Sequence, residues 1–513
     1  MIFPLLLVLA GLLLYLPYLG AYGPLDPTDS FFIESAREML EKNEYLLPMF
    51  NYQLWLDKPV FFFWLIILFY KLFGLSVLSA RLVSPVVLIC TSLFVFFSIK
   101  NIILKPLSRF LVAIIFLSSP LIAVFARTPL SDTVLMCLNT VTVISLYQLL
   151  FTNNKFWDYL FYLFLALTVL CKGPISLILI FLLWIGQKLW SKVSLKDQLF
   201  SKLFRLGPIL LFFIVLVPWY LLAIINTNGQ FFYKFFIEQN FGRMVGHVNH
   251  QQPIWFYVPI LILGFLPYNL FLIYYKKFIG SANDDISHLT KFFMSWSLIC
   301  ITLFSLVPTK LPTYIEPANI GISVLCALII GYLYENSNLK VFSIISVIIA
   351  AISFVVGSGF INLDGLTGIV IHNLHTYLLI SAVVFLITYF IKPKYKLTSF
   401  FLSMIFALAI ILPNIFLTYY DTRQIPFNNI VKKIQQSNGN AAIIFAEQPS
   451  IQFYLHKPIK SIKSPEQMMQ YLNNTTSPRY LIVPKETTRF LKWTNDCQPH
   501  FILQLDKWML YSI

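Results

Sequence analysis

Acidic and basic residues recur beside apolar segments through the first two-thirds of this 513-residue chain. Charges placed there are costly unless they line a polar cavity. A cavity with both signs suits transfer chemistry on a phosphorylated substrate: cations hold a phosphate leaving group, and a carboxylate accepts a proton from the attacking hydroxyl or binds a divalent cation. The candidates are Asp26, Asp29, Glu34, Lys58, Asp132, Lys172, Arg243, His247, Lys310 and Glu316.

Structural roles compete with these functional interpretations. Lys172 lies in the short turn CKGP, where a lysine commonly snorkels to the membrane surface. His247 and His250 are separated by two residues, a weak metal signature that a structural role explains better. No cofactor is required by the sequence, and if a divalent cation is used its candidate ligands are Asp26, Asp29 and Glu34. The six cysteines form neither a disulfide framework nor a metal-spaced pair.

Long apolar runs must position these residues. A run of about 20 apolar residues crosses the hydrocarbon core as a helix, and about thirteen such runs can be counted. With 58% hydrophobic and 12% charged residues, the composition excludes a soluble multidomain enzyme. The runs lie near residues 2–20, 78–98, 107–126, 128–150, 156–171, 173–190, 205–226, 254–275, 290–308, 312–334, 340–360, 374–391 and 398–419.

Loop charges predict the orientation of these segments. Alternate short loops carry most of the surplus lysine, for example around residues 100–109, 188–205 and 392–396. By the positive-inside rule these loops are cytoplasmic, and the opposite loops, with the acid-rich clusters, face the periplasm or an equivalent space. An odd number of spans starting inside ends outside, which agrees with the charge bias. The lysines explain the net charge of +15 better as topology determinants and headgroup contacts than as nucleic-acid ligands.

Two regions outside the spans have structure of their own. The first outward loop, 21–77, contains an amphipathic helix capped by Thr28 or Asp29, and an apolar stretch, 58–74, predicted to lie in the membrane interface. After residue 420 the sequence becomes mixed and polar, and 421–513 is predicted to form a small extracytoplasmic α/β domain. Its strands are expected at 441–446, 479–484 and within 501–513, and its helices at 426–437 and 464–473.

Three stretches resemble the family of bacterial lipid A aminoarabinose transferases and dolichyl-phosphate-mannose protein mannosyltransferases. They are residues 26–64, with an acidic loop, an AREM helix and a DKP turn; residues 218–268, with an FGR motif; and residues 305–325, with KLPTY. Shorter similarities occur at 79–85, 127–132 and 171–174. The resemblance spans most of residues 1–330, and the order and spacing of the long motifs make it specific.

The resemblance implies an all-α polytopic membrane protein of the GT-C glycosyltransferase type, with its active site at the outer membrane face. Lys58 and Arg243 then match positions that hold the lipid phosphate, with Lys172, Lys310 and Tyr314 as weaker matches. The family's catalytic carboxylate lies in the first loop, where Asp29 is favoured over Asp26. The chain departs from the family in lacking a basic residue after that acid, and Glu316 stands where an apolar residue is expected.

The implied function is transfer of a monosaccharide from a polyprenyl-phosphate donor to lipid A, another glycan or a protein, at the outer face of a bacterial inner membrane. The alternatives are a transporter or flippase of lipid-linked sugars, and a catalytically inactive relic. A transporter needs polar residues through the depth of the bilayer, whereas these charges concentrate at outer span ends. Neither the sugar nor the acceptor can be identified from the sequence.

Overall fold

The computed structural model describes most of the chain. The described residues are 2–27, 29–190, 203–242, 250–358, 374–437, 439–444, 446, 448–472, 479–486, 500–505 and 507–512. Thr28, Arg243, His247 and Cys497 lie outside these ranges.

The described residues up to 242 form helices and one small hairpin. The α-helices are α1 (Ile2–Tyr15), α2 (Ser30–Lys42), α3 (Phe61–Phe73), α4 (Val77–Ser98), α5 (Pro106–Ser118), α6 (Pro120–Phe125), α7 (Ser131–Phe151), α8 (Phe156–Lys172), α9 (Ile175–Trp190) and α10 (Leu206–Asn226). A short turn of helix at Gln230–Phe232 continues as a π-helix over Tyr233–Phe241. Strands β1 (Met49–Phe50) and β2 (Gln53–Leu54) pair in the first loop.

The second half begins with a broken helix and ends with mixed α and β structure. Its α-helices are α11 (Tyr257–Gly264), α12 (Tyr275–Ile279), α13 (Asp284–Leu306), α14 (Asn319–Glu335), α15 (Lys340–Gly357), α16 (Leu374–Phe390), α17 (Lys396–Tyr419), α18 (Ile425–Ser437), α19 (Ser450–Leu455) and α20 (Pro465–Leu472). Short 3₁₀-helices lie at Ile254–Phe256, Tyr268–Tyr274, Pro312–Ala318 and Pro393–Tyr395, and a π-helix lies at Tyr420–Gln424.

Fewer helices are long enough to span a membrane than the apolar runs suggest. Within the described residues, seven are long and apolar enough, or up to eight if the pair Ile254–Gly264 and Tyr268–Ile279, bent by 97°, is one span. Each of the predicted runs contains helix, so the expectation of about thirteen spans is supported only in part. Length is the reason: Ile2–Tyr15 has 14 residues and Pro106–Ser118 has 13, where a span needs about 17–25.

The first outward loop packs into a core of its own. Helices α2 and α3 bury Ile33, Phe63 and Ile66 against the start of α4 and the C-terminal parts of α8 and α10. As predicted, α2 is amphipathic, with its first helical residue directly after Asp29. The Asp29 carboxylate does not cap that helix, because it is bonded elsewhere. The interfacial position of α3 remains a prediction.

The C-terminal residues form one five-stranded sheet. Its order is β4 (Lys460–Ile462), β3 (Asn440–Ile444), β5 (Arg479–Pro484), β7 (Trp508–Ser512) and β6 (His500–Leu505). The three predicted strand regions and both predicted helices are present, with 501–513 folded as a hairpin. The sequence reading missed α19 and β4, which have only six and three residues. The domain boundary at residue 420 remains a prediction.

Each ion pair between different described elements joins two helix ends that are predicted to lie on the same side of the membrane. In the described part of the chain, the pairs that join different elements are Asp29–Arg81, Asp132–Lys172, Lys105–Glu335 and Asp158–Arg205. The first two join ends predicted to be outside, and the last two join ends predicted to be cytoplasmic. Residues that touch must lie on the same side, so these contacts agree with the charge-derived topology.

Candidate active site

A cavity of about 140 Å³ opens among the end of α8, the start of α9, the end of α13, the DKP turn and the π-helix. Four residues singled out in the sequence line it: Lys58, Asp132, Lys172 and Tyr314. We call this cavity the reaction pocket. Its other lining residues are Asp57, Leu135, Pro174, Ile175, Ile178, Phe235, Gln239, Asn240, Phe304, Val307, Thr309, Thr313 and Pro317. The pocket therefore gathers side chains that are more than 250 residues apart in sequence.

Lys172 and Asp132 form an ion pair at the wall of the reaction pocket. Helix α8 ends at Lys172 and α7 begins just before Asp132, so two helix ends bring the charges together. Their side chains are 15% and 14% exposed, which leaves the pair partly shielded yet accessible from the pocket. The Lys172 ammonium also lies 4.6 Å from the centre of the Tyr314 ring. These contacts hold the Lys172 ammonium in one place at the pocket wall.

Gly173 permits a close approach between the CKGP turn and the π-helix. Its φ of +102° is strained for residues with side chains, and a Cβ there would meet Phe235 Cζ at 2.7 Å and Asn240 Oδ1 at 3.5 Å. The glycine thus lets Phe235 and Asn240 pack beside Lys172 and close the pocket. The packing in this turn therefore requires glycine at position 173, in addition to the lysine at position 172.

Lys310 anchors the chain beside the pocket and is absent from its lining. Its backbone N–H donates to the carbonyl of His250 at 3.0 Å, and its Nζ donates to the carbonyl of Gln252 at 2.8 Å. Together with the bridge between Gln251 and Thr309, these bonds pair residues 250–252 with 308–310. Burial lowers the pKa of Lys310. In this structure Lys310 positions Thr309, which does line the pocket.

Asp29 is fully buried against Arg81. One carboxylate oxygen accepts from Arg81 Nε at 2.9 Å and Nη2 at 2.7 Å, and the other accepts from the Leu25 backbone at 2.6 Å. Arg81 also donates to backbone carbonyls of the loop after α1, including that of Tyr22 at 2.7 Å. Burial raises the pKa of Asp29, and Arg81 offsets part of that rise. The pair fastens the first loop to α4 and does not line the reaction pocket.

Asp26 joins the first loop to the C-terminal region. Its carboxylate accepts from Gln424 Nε2 at 2.8 Å and from the Ser450 backbone at 3.0 Å, and it is also bonded to the Ser450 hydroxyl. Burial raises the pKa of Asp26, and these hydrogen bonds offset only part of the rise. Like Asp29, Asp26 does not line the reaction pocket.

Glu34 belongs to a buried cluster on α2. It accepts from Arg37 Nε at 2.8 Å and Nη2 at 2.7 Å, and Arg37 also pairs with Glu41. Glu38, also fully buried, accepts from the Tyr52 backbone at 2.7 Å. Burial, and then the adjacent Glu34 carboxylate, raise the pKa of Glu38 to about 8. This cluster braces α2 against the β1–β2 hairpin.

The remaining candidates do not assemble a metal site in the described chain. Glu316 is fully buried, and neither of its carboxylate oxygens has a hydrogen-bond partner among the described residues. Arg243 and His247 lie outside the described ranges, so their predicted roles stay predictions. Among described residues, no group of three or more His, Cys, Asp or Glu side chains could hold a metal ion, and Asp26, Asp29 and Glu34 bond to separate partners.

The sequence placed Asp57 among the outward charges but gave it no role, and it did not identify several other contributors to the site. Asp57, next to Lys58, lines the pocket, and Arg81 neutralises the acid that the sequence favoured. Asn240 and Phe235 enter through the π-helix. The DKP turn pointed directly to Asp57. Nothing in the local pattern identified Arg81, because its partner is 52 residues away.

The comparisons confirm the resemblance to polyprenyl-phosphate-dependent membrane glycosyltransferases. Residues 57–221 match the family model described as dolichyl-phosphate-mannose-protein mannosyltransferase. An uncharacterized protein of Aquifex aeolicus is 27% identical over 334 residues, which are 63% of this chain and 63% of that protein. The undecaprenyl phosphate-alpha-4-amino-4-deoxy-L-arabinose arabinosyl transferase of Yersinia pestis is 28% identical over 335 residues, covering 63% of this chain and 58% of the relative. The matches to these two relatives thus span under two-thirds of each relative's length.

The fold is also that of a solved transferase. The structure superposes on the crystal structure of ArnT from Cupriavidus metallidurans bound to undecaprenyl phosphate with a TM-score of 0.83. The superposition covers 99% of this chain and 97% of that chain, at 16% sequence identity. The chain therefore has the GT-C fold of that enzyme, including the part of the chain beyond the motifs seen in the sequence.

Proposed function

We propose that this protein transfers a monosaccharide from a polyprenyl-phosphate donor to lipid A, another glycan or a protein at the outer face of the inner membrane. The observation that carries the proposal is the reaction pocket: Lys58, Asp57 and the Lys172–Asp132 pair lie together, in a fold shared with a transferase that binds undecaprenyl phosphate. A membrane-embedded donor explains why the site lies among span ends, since its polyprenyl tail cannot leave the bilayer.

In the proposed reaction an acceptor hydroxyl attacks C1 of the sugar. The bond between C1 and the phosphate oxygen breaks, its electron pair stays with the phosphate, and the hydroxyl proton passes to a carboxylate. Lys58 and Lys172 line the pocket and supply positive charge to the departing phosphate, which is where charge develops. The products are a glycosylated acceptor and the polyprenyl phosphate, with inversion at C1 expected for a single displacement.

The pocket geometry adds a candidate for the proton acceptor. The resemblance assigns this role to Asp29 or Asp26, but Asp29 is held by Arg81, and Asp26 by Gln424 and Ser450. Asp57 and Asp132 are the carboxylates that line the pocket in the described chain, and Asp132 is paired with Lys172. We therefore propose Asp57 as a candidate base in addition to Asp29. Asp132 would then position Lys172.

A reconstitution experiment tests the proposal. Purified protein is incubated in liposomes with undecaprenyl phosphate carrying a radiolabelled sugar and with lipid A, envelope glycans or peptides as acceptors. Sugar covalently attached to an acceptor, with release of undecaprenyl phosphate, is the expected result. Movement of intact donor between leaflets without transfer would favour a flippase, and no change in the donor would favour a relic.

A further inference from the structure

A second cavity, of about 230 Å³, lies between the first outward loop and the C-terminal sheet. One wall comes from the β1–β2 hairpin and the residue after it, and the other from β3, α19 and β4 with their connections. We call it the hairpin cleft. Its polar and aromatic lining side chains are Phe50, Asn51, Gln53, Trp55, Gln448, Gln452 and Ser461.

Hydrogen bonds across the hairpin cleft hold its two walls together. Asn51 Nδ2 donates to the Ile459 carbonyl at 2.8 Å, and Asn51 Oδ1 accepts from the Ile459 backbone at 2.7 Å. The Trp55 ring packs against Phe31 and Phe50, with ring centres 5.7 and 5.9 Å away. The cleft is therefore preformed, which lowers the entropy cost of ligand binding.

The lining points to a neutral ligand rich in hydroxyl groups. None of the described lining residues is charged, whereas side-chain amides come from both walls and a hydroxyl comes from Ser461 on one of them. The Ser461 hydroxyl at the cleft wall is buried and has no hydrogen-bond partner among the described residues. The Gln53 and Gln448 amides, which can both donate and accept, suit sugar hydroxyls, and an aromatic ring suits the C–H face of a pyranose.

The size of the cleft limits the ligand to about one sugar ring. Pockets for drug-sized ligands are typically about 300–1,000 Å³, so 230 Å³ suits a single pyranose unit and not an extended chain. A longer glycan would place one unit in the cleft and leave its neighbours outside.

The hairpin cleft is next to the reaction pocket. Trp55 lines the cleft and Asp57 lines the pocket. Two residues of chain span at most about 7 Å, so the two linings approach each other along this stretch of the chain. A glycan with one unit in the cleft would present an adjacent unit to the pocket.

We infer that the hairpin cleft binds a neutral pyranose unit of the acceptor glycan. The acceptor role rests on the proposed transfer function, whereas sugar binding itself does not. The cleft would select acceptors with an uncharged ring next to the unit that receives the sugar.

Saturation-transfer NMR on the purified full-length protein tests this inference. The detergent must lack a sugar headgroup, and the probes are methyl β-glucoside and N-acetylglucosamine. Saturation transfer to at least one probe is expected for the wild-type protein. Gln53→Ala and Gln448→Ala, one on each wall, should each weaken binding about fivefold, the usual effect of losing one hydrogen bond. Gln470→Ala is the matched control, an exposed glutamine on α20 that does not line the cleft.

The outcomes separate this inference from the proposed function. No saturation transfer to either probe in the wild-type protein, or equal binding by Gln53→Ala, Gln448→Ala and Gln470→Ala, would overturn the cleft as a sugar site. Sugar binding that weakens only in the cleft variants supports it. Donor turnover is measured separately, so a protein that binds sugar in the cleft but never consumes donor would defeat the transfer function alone.

Discussion

The contacts of individual carboxylates distinguish candidates for catalysis from residues that stabilise the fold. Asp29 has the partners of a structural ion, with three hydrogen bonds and no surface exposure. Asp57 and Asp132 line the pocket together with two lysines. The sequence motif alone favours Asp29, because the motif does not show that the Arg81 side chain is paired with this carboxylate.

Substitution of Asp57 and Asp29 should give different failures. Asp57→Asn should leave a folded protein with transfer reduced about 10²–10⁴-fold, the usual contribution of a general base. Asp29→Asn should reduce the yield of folded protein, because breaking a buried ion pair costs about 3–5 kcal/mol. Size-exclusion profiles and transfer rates are measured for both. A folded, inactive Asp29→Asn protein beside an active Asp57→Asn protein would return the catalytic role to Asp29.

Glu38 should make the stability of the first loop depend on pH. Folded Glu38 keeps its proton up to about pH 8, whereas an unfolded glutamate loses it near 4.5. The folded state thus binds more protons between these values, so the free energy of unfolding falls as pH rises from about 4.5 to 8, by at most about 1.4 kcal/mol per unit. Above about pH 8 this contribution is constant.

Thermal unfolding in detergent between pH 5 and 8 measures this effect. The midpoint should fall with rising pH in the wild-type protein, and Glu38→Gln should flatten the slope. Glu335→Gln, at the partly exposed pair with Lys105, is the matched control and should keep the wild-type slope. An unchanged slope in Glu38→Gln would show that Glu38 titrates normally.

At the scale of elements, the turn after α8 and the π-helix shape the reaction pocket. The π-helix over Tyr233–Phe241 reaches the pocket because the turn after α8 contains glycine at its closest approach. Helices α2 and α20 could be predicted from periodicity, and β5 from its apolar run. The π-helix and the three-residue strand β4 could not, because neither has a distinctive short-range pattern.

Gly173→Ala should reduce activity more than a substitution that introduces only the strain of a positive φ. The new Cβ would overlap Phe235, which must move together with Asn240 and widen the gap beside Lys172. We expect transfer to fall at least about tenfold, since small misplacements in a site are costly. Gly229→Ala is the matched control: its φ is +81° and nothing lies within 4 Å of its Cβ position. Equal activity of the two variants would contradict the packing argument.

Asp26 should control how firmly the C-terminal region is held. Asp26→Ala leaves Gln424 and Ser450 without their shared acceptor, at a cost of about 1–3 kcal/mol for the unpaired groups. Limited trypsin digestion should cleave the C-terminal region about tenfold faster than in the wild-type protein. Asp421→Ala, an exposed aspartate nearby, should digest at the wild-type rate. Equal digestion rates for the two variants would show that Asp26 does not hold the C-terminal region against the first loop.

At the scale of the whole molecule, loop charge predicted which ends meet. The inter-element ion pairs agree with the charge-derived sides, since Lys105 meets Glu335 and Lys172 meets Asp132. Helix length was less predictable, because apolar composition continues through breaks such as the one between α5 and α6. The hairpin cleft was beyond sequence reasoning, since its walls are about 400 residues apart, as in the pair Asn51 and Ile459.

One measurement tests the central claim most directly: the rate at which purified protein releases undecaprenyl phosphate from a sugar-loaded donor in the presence of acceptor. Lys58→Ala and Lys172→Ala should each lower this rate about 10²–10³-fold, because each removes a cation from the departing phosphate. Lys105→Ala, at the exposed pair with Glu335 and outside the pocket lining, should retain the wild-type rate. Release by both pocket variants at the rate of Lys105→Ala would contradict the account.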